Sequence, residues 1–188
     1  LSNNLLLSVV SKDNFEIIFK NINDNQSILF KSLDKVKNTK IKKNLLKMIR
    51  DLLNNRNNIK FIGSGVNYNV SKMGSKLLSK RFNLACAYDV LENHKHVDMS
   101  AEPLLFVLIS NINNSSYQMD AKSEIDKFIS HGNIPILIIN YGDNRFDDMK
   151  ILINGKLKKI ITIKIENIYE DIAFVPSLML IEKIIKLI

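Results

Sequence analysis

The sequence has no tryptophan, three prolines, six glycines and a single cysteine among its 188 residues. A lone cysteine, Cys86, excludes an internal disulfide and a thiolate metal site. Because it lies in the apolar run 84–88, we interpret it as a buried, unreactive thiol rather than a nucleophile. No apolar stretch reaches the roughly 18 residues that a membrane-spanning helix needs, so we expect no membrane partner.

Targeting signals are also missing from the sequence. The apolar residues 5–10 are too short for a signal peptide and follow no basic residue, which favours a cytoplasmic protein. The chain begins with Leu1 rather than methionine, so we expect it to be a piece of a longer protein. Its length suits one domain with a helical extension, and an apolar fraction of 46% is enough for a full core.

The formal net charge is +8, and residues 31–60 account for the whole excess, with ten lysines and arginines against two aspartates. Apolar residues at helical spacing over 41–53 predict an amphipathic helix with its basic residues towards solvent. A basic helix also leaves open a nucleic-acid-associated function. No aromatic residue is interleaved with these charges, so the stacking platform of single-strand binders is missing, and we expect nucleic acid not to be the partner.

Hydrophobic periodicity changes at Ile59. Before it, helical spacing predicts one helix over 13–36, a turn over 35–40 and a second helix ending near Asn54, and we treat residues 1–58 as a helical lead-in or linker. After it, short apolar runs alternate with longer amphipathic stretches, as in strand–helix–strand units. The predicted strands are 59–63, 84–88, 104–110, 134–140 and 160–165, and the predicted helices are 66–81, 116–130 and 169–188.

Two of these runs, 104–110 and 134–140, are apolar at nearly every position. Strands of a parallel sheet that is covered on both faces need such continuous apolar runs. The sequence therefore predicts an α/β fold, a three-layer αβα sandwich with a five-stranded parallel sheet, over residues 59–188 and preceded by two helices.

The first candidate site follows the first predicted strand. Ligands of an open parallel sheet bind beyond the carboxyl ends of its strands. Gly63, Ser64 and Gly65 lie there, where glycine lets the backbone approach an anion and the next helix offers free N–H groups. This segment is a phosphate-accepting turn or a plain tight turn. Tyr68 occupies a position that the dinucleotide fingerprint reserves for glycine, which excludes that motif.

Serine hydroxyls follow the third predicted strand. Ser110, Ser115 and Ser116 precede a predicted helix, and hydroxyls beside a helix N-terminus suit a phosphate group. Ordinary capping of that helix by Ser115 or Ser116 is the alternative.

Residues 92–98 hold two of the three histidines together with a lysine and two carboxylates. Histidine is the side chain best suited to proton transfer near neutral pH. His94 and His96 are two residues apart and have no further ligand nearby in sequence, so we predict no metal site. A solvated polar loop is the alternative, and we expect no cofactor.

In their order and spacing these segments resemble the sugar isomerase (SIS) family, and most closely the second isomerase half of glucosamine-6-phosphate synthase and its large relatives. The matching text is FIGSG at 61–65, GSKLL at 74–78, ACAY at 85–88, ENHKHVDMSAEPL at 92–104 and GNIPILIIN at 132–140. The resemblance covers 59–188 and implies a flavodoxin-like SIS fold, a hexose 6-phosphate ligand, and a homodimer or pairing with another SIS domain.

The resemblance also implies roles for single residues. His96 would assist opening of the sugar ring and reach into the neighbouring subunit's site, and Lys76 would lie near the active-site carboxylate. The family's proton-shuttling glutamate comes three residues after that lysine, where this chain has Ser79. No aspartate or glutamate occurs between Lys72 and Tyr88. Loss of a general base typically costs about 10²–10⁴-fold in rate.

Three functions remain after this comparison. We favour a phosphosugar-binding SIS domain of a synthase-like protein, a non-catalytic or half-site module, because the sequence contains neither the first isomerase half nor the glutaminase domain. The second is an active ketose/aldose 6-phosphate isomerase in which His96 opens the ring and His94 or a partner subunit supplies the base. The third is the nucleic-acid-associated protein that uses the basic helix within 31–60.

Overall fold

The computed structural model describes residues 12–54, 59–91, 104–109, 115–153, 155–166 and 174–188. Within these ranges the helices are α1 (Lys12–Asn38), α2 (Lys43–Asn54), α3 (Val66–Phe82), α4 (Ser115–Ser130) and α5 (Phe174–Leu187). The strands are β1 (Ile59–Gly63), β2 (Cys86–Asp89), β3 (Leu104–Leu108), β4 (Ile134–Asn140), β5 (Lys150–Ile153), β6 (Lys156–Lys159) and β7 (Ile161–Ile165).

Five of the strands form one parallel sheet in the order β2-β1-β3-β4-β7. All residues of β1 and β3 are buried, and so are the inner residues of β4, which explains their uninterrupted apolar runs. The predicted five-stranded α/β sandwich is confirmed. The strand order reverses between β1 and β3, so the crevice at their carboxyl ends is the topological switch point where such sheets bind ligands.

Helices cover both faces of this sheet. On one face α1, α2, α3 and α5 pack in a single apolar cluster with the strands, and on the other face α4 packs with β5. The lead-in helices supply Val36, Leu45, Ile49 and Leu53 to the first cluster. They therefore share a core with the sheet, while a boundary at residue 58 stays a prediction. Within the described ranges no helix is long and apolar enough to cross a membrane.

Polar contacts fix α1 and α2 to the terminal helix. Lys183 donates to the main-chain oxygens of Val36 at 2.9 Å and Thr39 at 2.7 Å, and these carbonyls lie at the C-terminal end of α1. Arg50 donates from Nε to the carbonyl of Ile188 at 2.9 Å. Helix ends leave carbonyl groups without partners, so these cations satisfy them.

Several element boundaries differ from the predicted ones. α1 continues to Asn38 through the predicted turn, and β2 begins at Cys86 rather than at residue 84. The Cys86 thiol is half-buried and lies 2.9 Å from the carbonyl oxygen of Ile59. α5 is described from Phe174 onwards, so the predicted helical residues 169–173 lie outside the described ranges.

An antiparallel hairpin of β5 and β6 lies between β4 and β7, and the periodicity analysis missed it. Its signal is Asn154-Gly155, the dipeptide that favours two-residue hairpin turns. The outer strand, with the sequence KLKK, has too few apolar residues to stand out by alternation.

Candidate functional site

The turn from β1 into α3 lies at the switch point of the sheet. Gly65 is the N-cap residue of α3, with φ 57° and ψ −131°, a conformation that favours glycine because it has no Cβ. The carbonyl oxygens of Ser64 and Gly65 accept hydrogen bonds from the N–H groups of Asn67 and Tyr68, each at 3.1 Å. The chain therefore passes from strand to helix within one tight turn.

Two main-chain amides of this turn remain available. The first N–H groups of a helix have no partner within the helix, and no side chain caps α3. The N–H groups of Gly65 and Val66 make no hydrogen bond among the residues that the structure describes. They lie at the positive end of the helix dipole, which is an arrangement that accepts an anion.

Close packing accounts for the glycine at position 63. A Cβ atom on Gly63 would lie 2.8 Å from the carbonyl oxygen of Asn67 and 2.9 Å from its Cβ. Asn67 is only 1% exposed and belongs to the first turn of α3. The glycine thus lets the start of the helix press against the end of β1. Sequence reasoning did not single out Asn67, because nothing in its neighbourhood marks it as buried.

Ser64 joins this turn to the chain that follows β2. Its Oγ accepts a hydrogen bond from the N–H of Leu91 at 3.2 Å. Leu91 is 1% exposed and immediately precedes the segment that carries His94 and His96. The hydroxyl that was predicted to bind a phosphosugar therefore also positions the beginning of the histidine segment.

A buried ion pair lies on the same two strands. The Nζ atom of Lys60 on β1 lies 3.7 Å from Oδ2 of Asp89 at the end of β2, with side-chain exposures of 8% and 24%. Asp89 Oδ1 accepts the N–H of Val90 at 2.8 Å. Sequence reasoning missed both residues. The signal was a lysine inside an otherwise apolar strand, since a buried cation needs a partner.

The remaining predicted site residues are placed as follows. Lys76 lies on the exposed side of α3, ten residues after Val66, which corresponds to about 15 Å along a helix axis. The structure therefore does not bring it to the Gly63–Gly65 turn of the same chain. Ser79 is half-buried one turn further along.

His96 and Ser110 lie outside the described residues. Ser115 and Ser116 form the start of α4, but their side chains are outside the described part. The register of the sheet pairs Leu108 at the end of β3 with Gly63, so the chain leaving β3 starts at the same edge as the glycine turn. Both predicted phosphate segments thus begin at one edge of the sheet.

A second polar group lies at the carboxyl ends of β4 and β7. Lys35 forms an ion pair with Glu166, and its Nζ atom lies 5.7 Å from the centre of the Tyr141 ring. Asp143 accepts from Arg145 at 2.8 Å and 2.6 Å. Burial acts to raise the pKa of Asp143, but the hydrogen bonds and charge of Arg145 outweigh it and lower this pKa below its ordinary value. These charges are already paired, and the glycine turn keeps the available amides.

Comparison with solved structures finds the same fold in sugar isomerase domains. The C-terminal domain of glucosamine-fructose-6-phosphate aminotransferase from Francisella tularensis superposes with a TM-score of 0.65 at 10% identity, covering 96% of this chain and 47% of that domain. A protein of Escherichia coli CFT073 in complex with a sugar phosphate gives 0.60 at 13% identity, covering 94% and 90% of the two chains. The sugar isomerase domain of an RpiR transcription factor from Sphaerobacter thermophilus gives 0.59 at 8% identity, covering 87% and 86%.

No family model matches the sequence, and no curated protein matches it either. The structural likeness shows that the chain has an SIS-type fold, as the sequence resemblance implied. The chain spans about half, 47%, of the length of the aminotransferase domain.

Proposed function

We propose that this chain is a phosphosugar-binding SIS domain that serves as a non-catalytic or half-site module of a synthase-like protein and binds a hexose 6-phosphate. The observation that carries the proposal is the Gly63–Gly65 turn, which presents the amides of Gly65 and Val66 at the switch point of an SIS-type sheet. The solved Escherichia coli structure of the same fold is a complex with a sugar phosphate, which supports a ligand of this class.

The charge of α3 favours an anionic ligand. The helix carries four basic residues and no carboxylate, and all four basic side chains are exposed: Lys72, Lys76, Lys80 and Arg81. A phosphate at its N-terminus would accept hydrogen bonds from the two amides and interact with the helix dipole. The sugar would then extend from the phosphate along the crevice between β1 and β3.

The absence of a carboxylate from α3 supports binding without conversion. Transfer of a proton between C1 and C2 of a sugar needs a general base, and Ser79 stands where the resemblance places a glutamate. Asp89 ends the strand beside β1, but the described contacts commit it to Lys60 and to the amide of Val90. A partner chain would have to complete the site, in a homodimer or with another SIS domain.

We expect fructose 6-phosphate or glucosamine 6-phosphate to stabilise the folded chain. At a hundredfold excess over Kd, binding to the native state alone adds about 2.7 kcal/mol to the free energy of unfolding. Thermal unfolding followed by circular dichroism measures the change. Unphosphorylated fructose and inorganic phosphate are the controls. Equal stability with and without every ester would contradict the proposal, and an effect of phosphate equal to that of the esters would reduce the site to a simple anion site.

A binding module without a base should leave the sugar's carbon-bound protons in place. We expect no incorporation of solvent deuterium at C2 when fructose 6-phosphate is incubated in D₂O with the chain at saturating concentration. Proton NMR of the recovered sugar measures the exchange. Incorporation that scales with protein concentration would instead establish the isomerase function and show that another residue supplies the base.

A further inference from the structure

The β5–β6 hairpin is built to project its outer strand from the domain. Ile153 pairs with Lys156 across a two-residue turn in which Gly155 has φ 71°. On the inner side of β5, Ile151 and Ile153 are buried in the cluster beneath α4. These two residues anchor the hairpin, whereas all four residues of β6 are exposed. β6 therefore contributes almost nothing to the core of its own chain.

Two leucines face solvent on the outer side of this hairpin. Leu152 and Leu157 are directly opposite each other in the register, with exposures of 63% and 64%. An exposed cross-strand pair of large apolar side chains gains little in an isolated chain. A contiguous apolar patch of this kind with a polar rim marks an interaction surface.

The outer edge of β6 offers main-chain groups to a partner. Among the described residues β6 pairs with β5 alone, and no other backbone hydrogen bond to it is found. An edge strand with one free side is a template on which another extended segment can add. Its side chains alternate, so Lys156 and Lys158 lie on one face while Leu157 and Lys159 lie on the other.

The charge of the hairpin defines the partner. Lys150, Lys156, Lys158 and Lys159 are all exposed, and no aspartate or glutamate occurs from Met149 to Ile165. We propose that β6 is a docking edge for an extended acidic peptide segment of another protein, which adds as a further strand. Its carboxylates would lie beside Lys156 and Lys158, and an apolar side chain would cover Leu157.

Other occupants fit these features less well. A second copy of the hairpin would bring like charges together. A lipid bilayer would take up the leucines, but the open edge of β6 would lack hydrogen-bond partners in hydrocarbon. Nucleic acid would satisfy the lysines and leave the leucines uncovered, and the hairpin strands hold no aromatic residue on which bases could stack. A peptide strand satisfies the charges, the backbone and the leucines together.

A short fluorescein-labelled peptide of alternating glutamate and valine tests the proposal by fluorescence polarisation. We expect saturable binding, together with slower hydrogen exchange at the amides of β6. Substitution of Lys156→Glu with Lys158→Glu should weaken binding by about tenfold or more, since like charges then face each other. The matched control is Lys43→Glu with Lys47→Glu, which makes the same charge change at exposed positions of α2. It should leave the affinity unchanged.

The decisive comparison is a peptide of equal charge with proline at the valine positions, which cannot form a strand ladder. Equal binding of this peptide would overturn the proposal, because charge alone would then explain the interaction. Tighter binding to vesicles containing phosphatidylserine, or to single-stranded RNA, in a way that depends on the same lysines would overturn it as well. The test does not involve a sugar ligand, so its outcome is independent of phosphosugar binding.

Discussion

Substitution of Gly63 by alanine is expected to lower the free energy of unfolding by about 3 kcal/mol, at the upper end of the usual cost of overpacking. The new Cβ would lie 2.8 Å from a backbone oxygen, that of Asn67, and a backbone atom within a helical turn cannot rotate away. The start of α3 must therefore move. Urea unfolding at constant m-value measures the loss of stability.

The same substitution is expected to weaken phosphosugar binding by about tenfold or more, because one misplaced hydrogen bond to a charged group costs about 1.5 kcal/mol or more. The amides of Gly65 and Val66 belong to the turn that has to shift. Isothermal titration with glucosamine 6-phosphate, below the unfolding transition of the variant, measures the affinity. Unchanged affinity in a destabilised Gly63→Ala variant would remove this turn from the binding site.

Gly74→Ala is the matched control. A Cβ there would lie 2.9 Å from the ring of Phe61 and 3.2 Å from Cγ2 of Ile181, so this glycine also permits close packing of α3. The Phe61 ring stacks on Phe106 with centroids 4.9 Å apart and has little room to yield. Alanine gains helix propensity of about 1 kcal/mol over glycine, which offsets part of the overpacking cost. We expect a smaller loss of stability and an unchanged affinity, since the site lies at the other end of the helix.

Sequence reasoning located the central strands better than the edge strand. β1 and β4 were predicted to the residue because both are buried on both faces and end at glycine or asparagine. β2 lies at the edge of the sheet and has half-buried and exposed residues, so its apolar pattern is weak and its predicted start was two residues early. Periodicity therefore locates strands where burial is complete.

The site was predictable only as far as chain order determines it. Parallel topology places the Gly63–Gly65 turn at the carboxyl edge, which follows from the strand–turn–helix pattern alone. The contact between Ser64 and Leu91 depends on β1 and β2 being neighbours, and sequence order does not reveal that adjacency. The same holds for the ion pair of Lys60 and Asp89. Such cross-strand pairs require the register.

That ion pair leads to the second large effect. Substitution of Asp89 by alanine would leave the Lys60 ammonium, whose side chain is only 8% exposed, without its anionic partner. Removal of one member of a buried pair costs about 3–5 kcal/mol, and we expect the lower end because the Asp89 side chain is 24% exposed and water can reach its position. Urea unfolding again measures the loss.

Removal of both charges should restore most of that stability. Lys60→Met keeps an apolar stem of similar length in β1, and replacement of buried ion pairs by apolar side chains is often close to neutral. The double variant Lys60→Met with Asp89→Ala should therefore unfold within about 1 kcal/mol of Lys60→Met alone. Additive losses in the two single variants would show that Asp89 acts through its other contacts, such as the amide of Val90. A large positive coupling would establish that a buried charge pair joins β1 to β2 directly beneath the edge at which the phosphosugar is proposed to bind.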